Sequence, residues 1–170
     1  MALPRSLKNF NLYNDGFSYL GEVEEVNLPK LKRKMEDYRG GGMSGPVKID
    51  HGMEGIELDW TAGGWMHTVL DQWGATSHDA VQLRFAGAIQ GDDIIPVSAL
   101  EIVVRGRHEE IDPGSSKAGD KTQIKIKTTC SYYKLTLDGE TKIEIDLVNG
   151  IEIVNGNDMT QLQRLAMGMI

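Results

Sequence analysis

Between Ile124 and Tyr132 the chain alternates strictly. Ile124, Ile126, Thr128, Cys130 and Tyr132 occupy one phase, and Lys125, Lys127, Thr129 and Ser131 the other. A period of two places these sets on opposite faces of a strand, so this stretch cannot be an amphipathic helix. The same period recurs along the chain. Ile56, Leu58 and Trp60 alternate with Glu57 and Asp59, and Val81, Leu83, Phe85 and Ile89 alternate with Gln82, Arg84, Ala86 and Ala88. Leu100, Ile102 and Val104 follow a turn at 91–93, and Ile143 and Ile145 follow Asp138–Gly139, a two-residue hairpin signal. The chain is therefore expected to be mainly β, with 170 residues making one domain across 1–170.

Phase changes locate expected bulges. Phe17, Tyr19 and Val23 share one phase, Val26 and Leu28 the other, which predicts a bulge at Glu24–Glu25. Leu135 and Leu137 are out of phase with Ile124–Tyr132, which predicts a second near Tyr133–Lys134. Two segments follow a helical period instead. Trp65, Val69, Leu70 and Trp73 share a face over 61–74, with Gly74 as the stop. Leu162, Leu165 and Met169 form a stripe on a short C-terminal helix capped by Asn157 or Asp158. The apolar end, 166–170, is expected to pack on its own core or on a neighbour.

Residues 39–55 form a long, glycine-rich segment that carries Gly41, Gly42, Met43, Pro46, Val47, Ile49 and Met53. A long loop with that much apolar content is expected either to dock on a partner or to fold back as a hairpin on its own sheet.

Net charge is −7, with 18 Lys and Arg against 25 Asp and Glu. Residues 51–100 hold one basic side chain, Arg84, and seven acidic ones. This balance argues against a protein that grips nucleic acid and agrees with one that nucleic acid slides past, or with a plain solvated acidic face. The single cysteine, Cys130, permits no intrachain disulfide, and its phase places it inside. The first residues show no apolar signal region, and no apolar run reaches membrane-helix length, so cytoplasmic folding is expected with no membrane partner.

A catalytic constellation is missing from the pattern. His51, His67, His78 and His108 lack metal-ligand spacing, and His67 lies away from the tryptophans of its helix. The run Gly40–Pro46 has no following Lys-Ser or Lys-Thr, so it is no phosphate loop. Glu109, Glu110 and Asp112 read as a solvated turn, and the run Lys30, Lys32, Arg33 and Lys34 as a short basic patch. These two charged clusters are candidates for contact across subunits. No metal, cofactor or catalytic residue is expected. A small enzyme or ligand-binding β-barrel, built on the 109–112 carboxylates or a cavity near Trp60, Trp65 and Trp73, is the competing class. A nucleic-acid-binding module is the third. The residues themselves point to a β-rich, self-assembling structural protein.

Ordered motifs then carry a resemblance along the whole chain. They include Gly16–Tyr19, Leu28–Leu31, Glu36 with Tyr38 and Arg39, and Arg84–Gly87. Arg105–Arg107, Glu110–Gly114, Lys117–Gly119, Ser131–Leu135, Asp138–Gly139, Glu144–Asp146, Asn149 and Val154–Gly156 continue the series. In order and spacing the chain resembles the major tail tube proteins of contractile-tailed bacteriophages, a family shared with R-type tailocin tubes. The resemblance implies a β-sandwich or barrel with one flanking helix, similar to the type VI secretion tube protein. It implies homohexameric rings stacked into a conduit for DNA ejection, inside a sheath, in a virion tail assembled in the host cytoplasm. The implied partners are further copies of the chain, the tail sheath protein, a baseplate initiator, a tape measure protein and a tail terminator. DNA would pass transiently without specific binding. A tailocin or a defective prophage would use the same tube. The 39–55 segment is then expected to reach the adjacent ring. The Lys125, Lys127 and Thr129 face would meet either the lumen or a neighbour.

Overall fold

The computed structural model describes residues 3–93 and 96–169. Twelve strands and two short helices make up those residues. The strands are β1 (Ser6–Asn14), β2 (Phe17–Ser18), β3 (Val23–Asn27), β4 (Arg33–Tyr38), β5 (Val47–Met53), β6 (Ile56–Ala62), β7 (Val81–Gln90), β8 (Ser98–Asp112), β9 (Ile124–Leu137), β10 (Glu140–Asp146), β11 (Ile151–Val154) and β12 (Asn157–Asp158). The helices are α1 (His67–Asp71) and α2 (Gln161–Ala166). Neither is long and apolar enough to cross a membrane.

Ten strands form one antiparallel sheet, in the order β12-β11-β10-β9-β8-β7-β1-β2, with β3 and β6 attached beside β9. The alternating stretch of β9 explains this branching. One side of β9 runs along β8 for its whole length. The other side is shared: Ile124–Cys130 pair with β6, and Tyr132–Leu137 pair with β10. The sheet curls until Tyr19, just after β2, stacks on Trp60 of β6 at 5.8 Å between ring centres. Leu12, Ile56, Leu58, Trp60, Leu83, Val104 and Ile126 fill the space enclosed, each almost fully buried. Burial of this apolar set is the main stabilising term.

The expected bulge at Glu24 is present, since β3 shifts register against β6 between Val23 and Glu25. The Asp138–Gly139 turn joins β9 to β10, with φ of 51° and 81°, the left-handed pair that a tight hairpin needs. Gly106 permits the closest strand contact. A Cβ there would stand 1.9 Å from the Thr129 carbonyl oxygen.

Several expectations need correction. The second bulge lies at Ser131, because Arg105 pairs with Tyr132 and Gly106 with Cys130. Tyr133, not Tyr132, therefore enters the core. Phe17 is exposed although Tyr19 is buried. Helix α1 covers only five residues, since Thr61 and Ala62 are the end of β6. Thr160 occupies the N-cap position of α2, while Asn157 and Asp158 form β12. Glu109, Glu110 and Asp112 still belong to β8 rather than to the turn after it. Strand β1 has no counterpart among the expected strands. Of the apolar end, Ile170 lies outside the described residues; Met167 and Met169 are exposed.

Candidate assembly surfaces

The glycine-rich segment is the outer part of a hairpin. Strands β4 and β5 pair only with each other, Tyr38 opposite Val47 and Glu36 opposite Ile49, and form a two-stranded ribbon apart from the main sheet. The hairpin runs from Arg33 to Met53, so it begins before the expected 39–55 boundary. It neither folds back on the main sheet nor buries its apolar face: Tyr38, Val47 and Ile49 are all exposed. Gly41, Gly42 and Pro46 are exposed at the tip. Met43 is half-buried in the tip itself, where the Gly40 N–H donates to its Sδ at 3.0 Å and Arg39 Nε donates to its carbonyl at 3.2 Å. Met53 lies at the base and packs against the core.

Charge anchors that base. Arg33 reaches Asp50 at 3.2 Å on β5 and also binds the carboxylate of Glu152 on β11. Glu152 is buried, and Lys32 pairs with Glu54 at 3.8 Å. An open cleft of about 500 Å³ separates the hairpin base from α2. The basic run at 30–34 is thus partly committed within the chain. Lys30 and Lys32 border Glu54, Glu57 and Asp59, whereas Glu110 and Asp112 line a neighbouring hollow with Lys125 and Lys127. No ion pair joins the two clusters among the described residues. Lys127 pairs with Glu57 at 3.3 Å, and Thr129 donates to Glu109 at 2.8 Å, so this face is engaged across its own strands.

Around α1 lies the helical face that the sequence pattern places on Trp65, Val69, Leu70 and Trp73. Val69 is the one buried residue of the helix. Trp65 and Trp73 remain 60% and 54% exposed, and Leu70 is exposed beside them. Polar bonds hold the segment. Gln72 Nε2 donates to Asn14 Oδ1 at 2.8 Å and to Asp15 Oδ2 at 3.0 Å, while its Oε1 accepts from Asn14 Nδ2 at 2.7 Å. His108 contacts Gln72 Oε1 through Nε2 and Thr128 Oγ1 through Nδ1, each at 3.0 Å. A carbonyl oxygen only accepts, so Nε2 carries the proton and Nδ1 accepts from Thr128. Tyr19 hydroxyl meets Thr68 Oγ1. The third outward apolar surface is α2, where Leu162, Leu165 and Met167 are exposed and Arg164 ties the helix to Asp158.

Two groups with nucleophilic or acid–base potential are sealed. Burial pushes the Cys130 thiol up to about 12 and the His108 imidazole down to about 4. His67 is exposed, as its position on the helix predicts.

Comparison with known proteins settles the family. The model of the phage tail tube protein FII family matches residues 4–168. The chain belongs to the phage tail tube protein FII family. It is 44% identical to the tail tube protein of Escherichia phage P2 over 99% of this chain and all of that one. It is 40% identical to the major tail tube protein of Serratia phage KSP20, over 94% of this chain and 92% of that one. Among solved structures, the fold is similar to a chain of the sheath/tube terminator of the PVC extracellular contractile injection system, with a TM-score of 0.58 at 12% identity, covering 78% of this chain and 96% of that one. A chain of the PVC sheath–tube complex matches with a TM-score of 0.56 at 13% identity, over 78% and 91%. The subunit is a tail tube protein of the contractile-tail type and a structural part of the virion tail. Its outward apolar surfaces sit on a fold that contractile machines share.

Proposed function

We propose that copies of this tail tube protein close into hexameric rings, and that the rings stack into the conduit through which DNA leaves. One observation carries this reading: apolar side chains stand outside on three separate elements, the β4–β5 hairpin, α1 and α2. A solitary soluble subunit rarely exposes so much apolar surface, and head-to-tail contacts between unlike patches generate closed rings and open stacks. Sheet edges support lateral closure. Among the described residues, β2 pairs with β1 only at Tyr13 and Asn14, and Tyr19 adds a bond to the Leu12 carbonyl, which leaves the outer edge of Ser6–Asn11 to the next subunit.

The hairpin carries the contact between rings through Tyr38, Val47 and Ile49, with Gly41, Gly42 and Pro46 at the leading tip. Met43 shapes the tip and Met53 seats the base. Lys30 and Lys34 remain for acidic partners across a subunit boundary, and Glu109, Glu110 and Asp112 for basic ones. Net charge of −7 keeps phosphates from adhering to the conduit. Sheath, terminator and baseplate initiator are the assembly partners, by likeness to proteins of the same fold in PVC and anti-feeding prophage assemblies. A tape measure protein would occupy the lumen before DNA. The subunit acts by assembly rather than catalysis, and it assembles in the host cytoplasm.

Light scattering on a concentration series tests the stacking role. Serine at Tyr38, Val47 and Ile49 together should leave single rings and abolish growth. Normal growth by that variant would remove the hairpin from the stacking contact.

A further inference from the structure

We propose that the α1 surface bearing Trp65, Leu70 and Trp73 is the socket for the β4–β5 hairpin of a neighbouring copy, which enters with Tyr38, Val47 and Ile49. The proposal rests on the reading of the hairpin as the contact between rings and names the surface it meets.

Placement within the fold is the first argument. The hairpin base is anchored to Glu152 on β11, at one end of the strand order. Helix α1 is fastened through Gln72 to Asn14 and Asp15, at the β1–β2 end. The two apolar surfaces of one chain also stand at opposite ends of β6, since β5 leads into it at Ile56 and α1 follows it after Ala62. Between copies, one joined to the other makes a head-to-tail contact that repeats without closing, the geometry of a stack.

The construction of α1 is the second. A helix of five residues has little stability of its own, and only Val69 is buried from it. The Gln72 amide, His108 and Thr128 fix the segment instead, by polar bonds that leave both indoles facing outward. Trp65 and Leu70 border an apolar notch of only about 10 Å³ with Ile111, Ile124 and Ile126, so the contact lies across this surface rather than within a cavity. The hairpin offers a matching ridge, because Tyr38 and Val47 are cross-strand partners and Ile49 follows on the same face.

Charge is the third. From Gly63 to Ala80 there is no Lys or Arg, and Asp71 and Asp79 are the charged residues. Residues 34–49 of the hairpin carry Lys34, Arg39 and Lys48 against Glu36 and Asp37, a small positive excess, with Glu36 opposite Ile49. Helix α2, the other apolar surface, has its one cation, Arg164, paired to Asp158. The contact is small. With aromatic side chains covering roughly 150–250 Å² each, it supplies only part of the roughly 800 Å² per partner of a stable interface. Repetition around a ring compensates through multivalency.

Disulfide trapping tests the pairing. Cys130 is buried, so the natural background is low. A chain carrying Val47→Cys and Leu70→Cys, assembled and then oxidised, should give a covalent ladder on a non-reducing gel at least tenfold stronger than either single variant. Assembled tubes without that ladder, or a ladder from Val47→Cys with Leu165→Cys instead, would overturn the socket. Trp65→Ala with Trp73→Ala provides an independent reading. Its unfolding midpoint should match the natural chain, and its tube elongation should fall at least tenfold while rings persist. Unchanged elongation, or loss of sheath binding alone, would contradict the proposal. Failure of the natural chain to stack at all would remove the underlying reading of the hairpin, a separate outcome.

Discussion

His108 Nε2 donates to Gln72 Oε1 across 3.0 Å, and this one bond ties β8 to the end of α1. The companion bond, in which Nδ1 accepts from Thr128, requires a neutral imidazole, and burial lowers the folded pKa from 6.5 to about 4, against an opposing pull from Asp15. The unfolded chain therefore binds a proton that the folded chain refuses between those values. The resulting stability is fully present above pH 6.5 and is lost as pH falls towards 4, about 3 kcal/mol in all. Urea midpoints measured from pH 7.5 to 4.5 should fall steadily, and His108→Gln should flatten that slope. A slope identical in the variant would assign the loss elsewhere.

The three tryptophans divide their work. Trp60 is buried, stacks on Tyr19 and faces the Thr128 hydroxyl at 3.5 Å. Trp60→Ala should cost about 3–5 kcal/mol in denaturant unfolding. Trp65→Ala or Trp73→Ala should stay within about 0.5 kcal/mol, because both side chains are largely in water in the subunit. Equal losses at all three positions would mean that the outer pair also belongs to the core.

Gly106 marks where β8 and β9 approach most closely. A methyl group there meets the Thr129 carbonyl oxygen at 1.9 Å and Cys130 Cα at 2.8 Å, and backbone cannot swing aside as a side-chain tip can. Gly106→Ala should destabilise by about 3 kcal/mol. A melting temperature within experimental error of the natural chain would show that the two strands can part.

The Arg33 anchor sets the bearing of the hairpin. Arg33→Ala leaves the buried carboxylate of Glu152 without its cation and releases β5 from that end of the sheet. The expected cost is about 1–3 kcal/mol. Amide exchange should rise over residues 33–53 and stay unchanged in β7 and β8. Uniform acceleration across the chain would point to global destabilisation instead.

Strands with one buried face are legible in the amino-acid sequence. Ile56 to Trp60, Val81 to Phe85 and Ile124 to Cys130 alternate because one face of each is core, and Asp138–Gly139 demands its turn. Strand β1 gives a weaker signal, because Asn14 continues the inward phase of Phe10 and Leu12 with a polar side chain. The bulge at Ser131 lies two residues before its expected place, since Tyr132 and Tyr133 are equally suited to either face. Over 61–74 the apolar spacing is real, but a core does not cause it. Trp65, Leu70 and Trp73 produce the same helical signal as a core stripe, and a pattern of apolar residues does not distinguish a core from a surface that another subunit covers. The same ambiguity applies to Leu162 and Leu165. Apolar content over 39–55 fits an outward hairpin and one folded back on the sheet alike, and the ladder begins at Arg33, hidden within the basic run.

Electron microscopy of the purified, concentrated chain, with and without added baseplate complexes, tests assembly into a tube most directly. Hollow tubes of stacked rings, with sixfold symmetry in end views, are the expected result. Monodisperse single subunits under both conditions would contradict it.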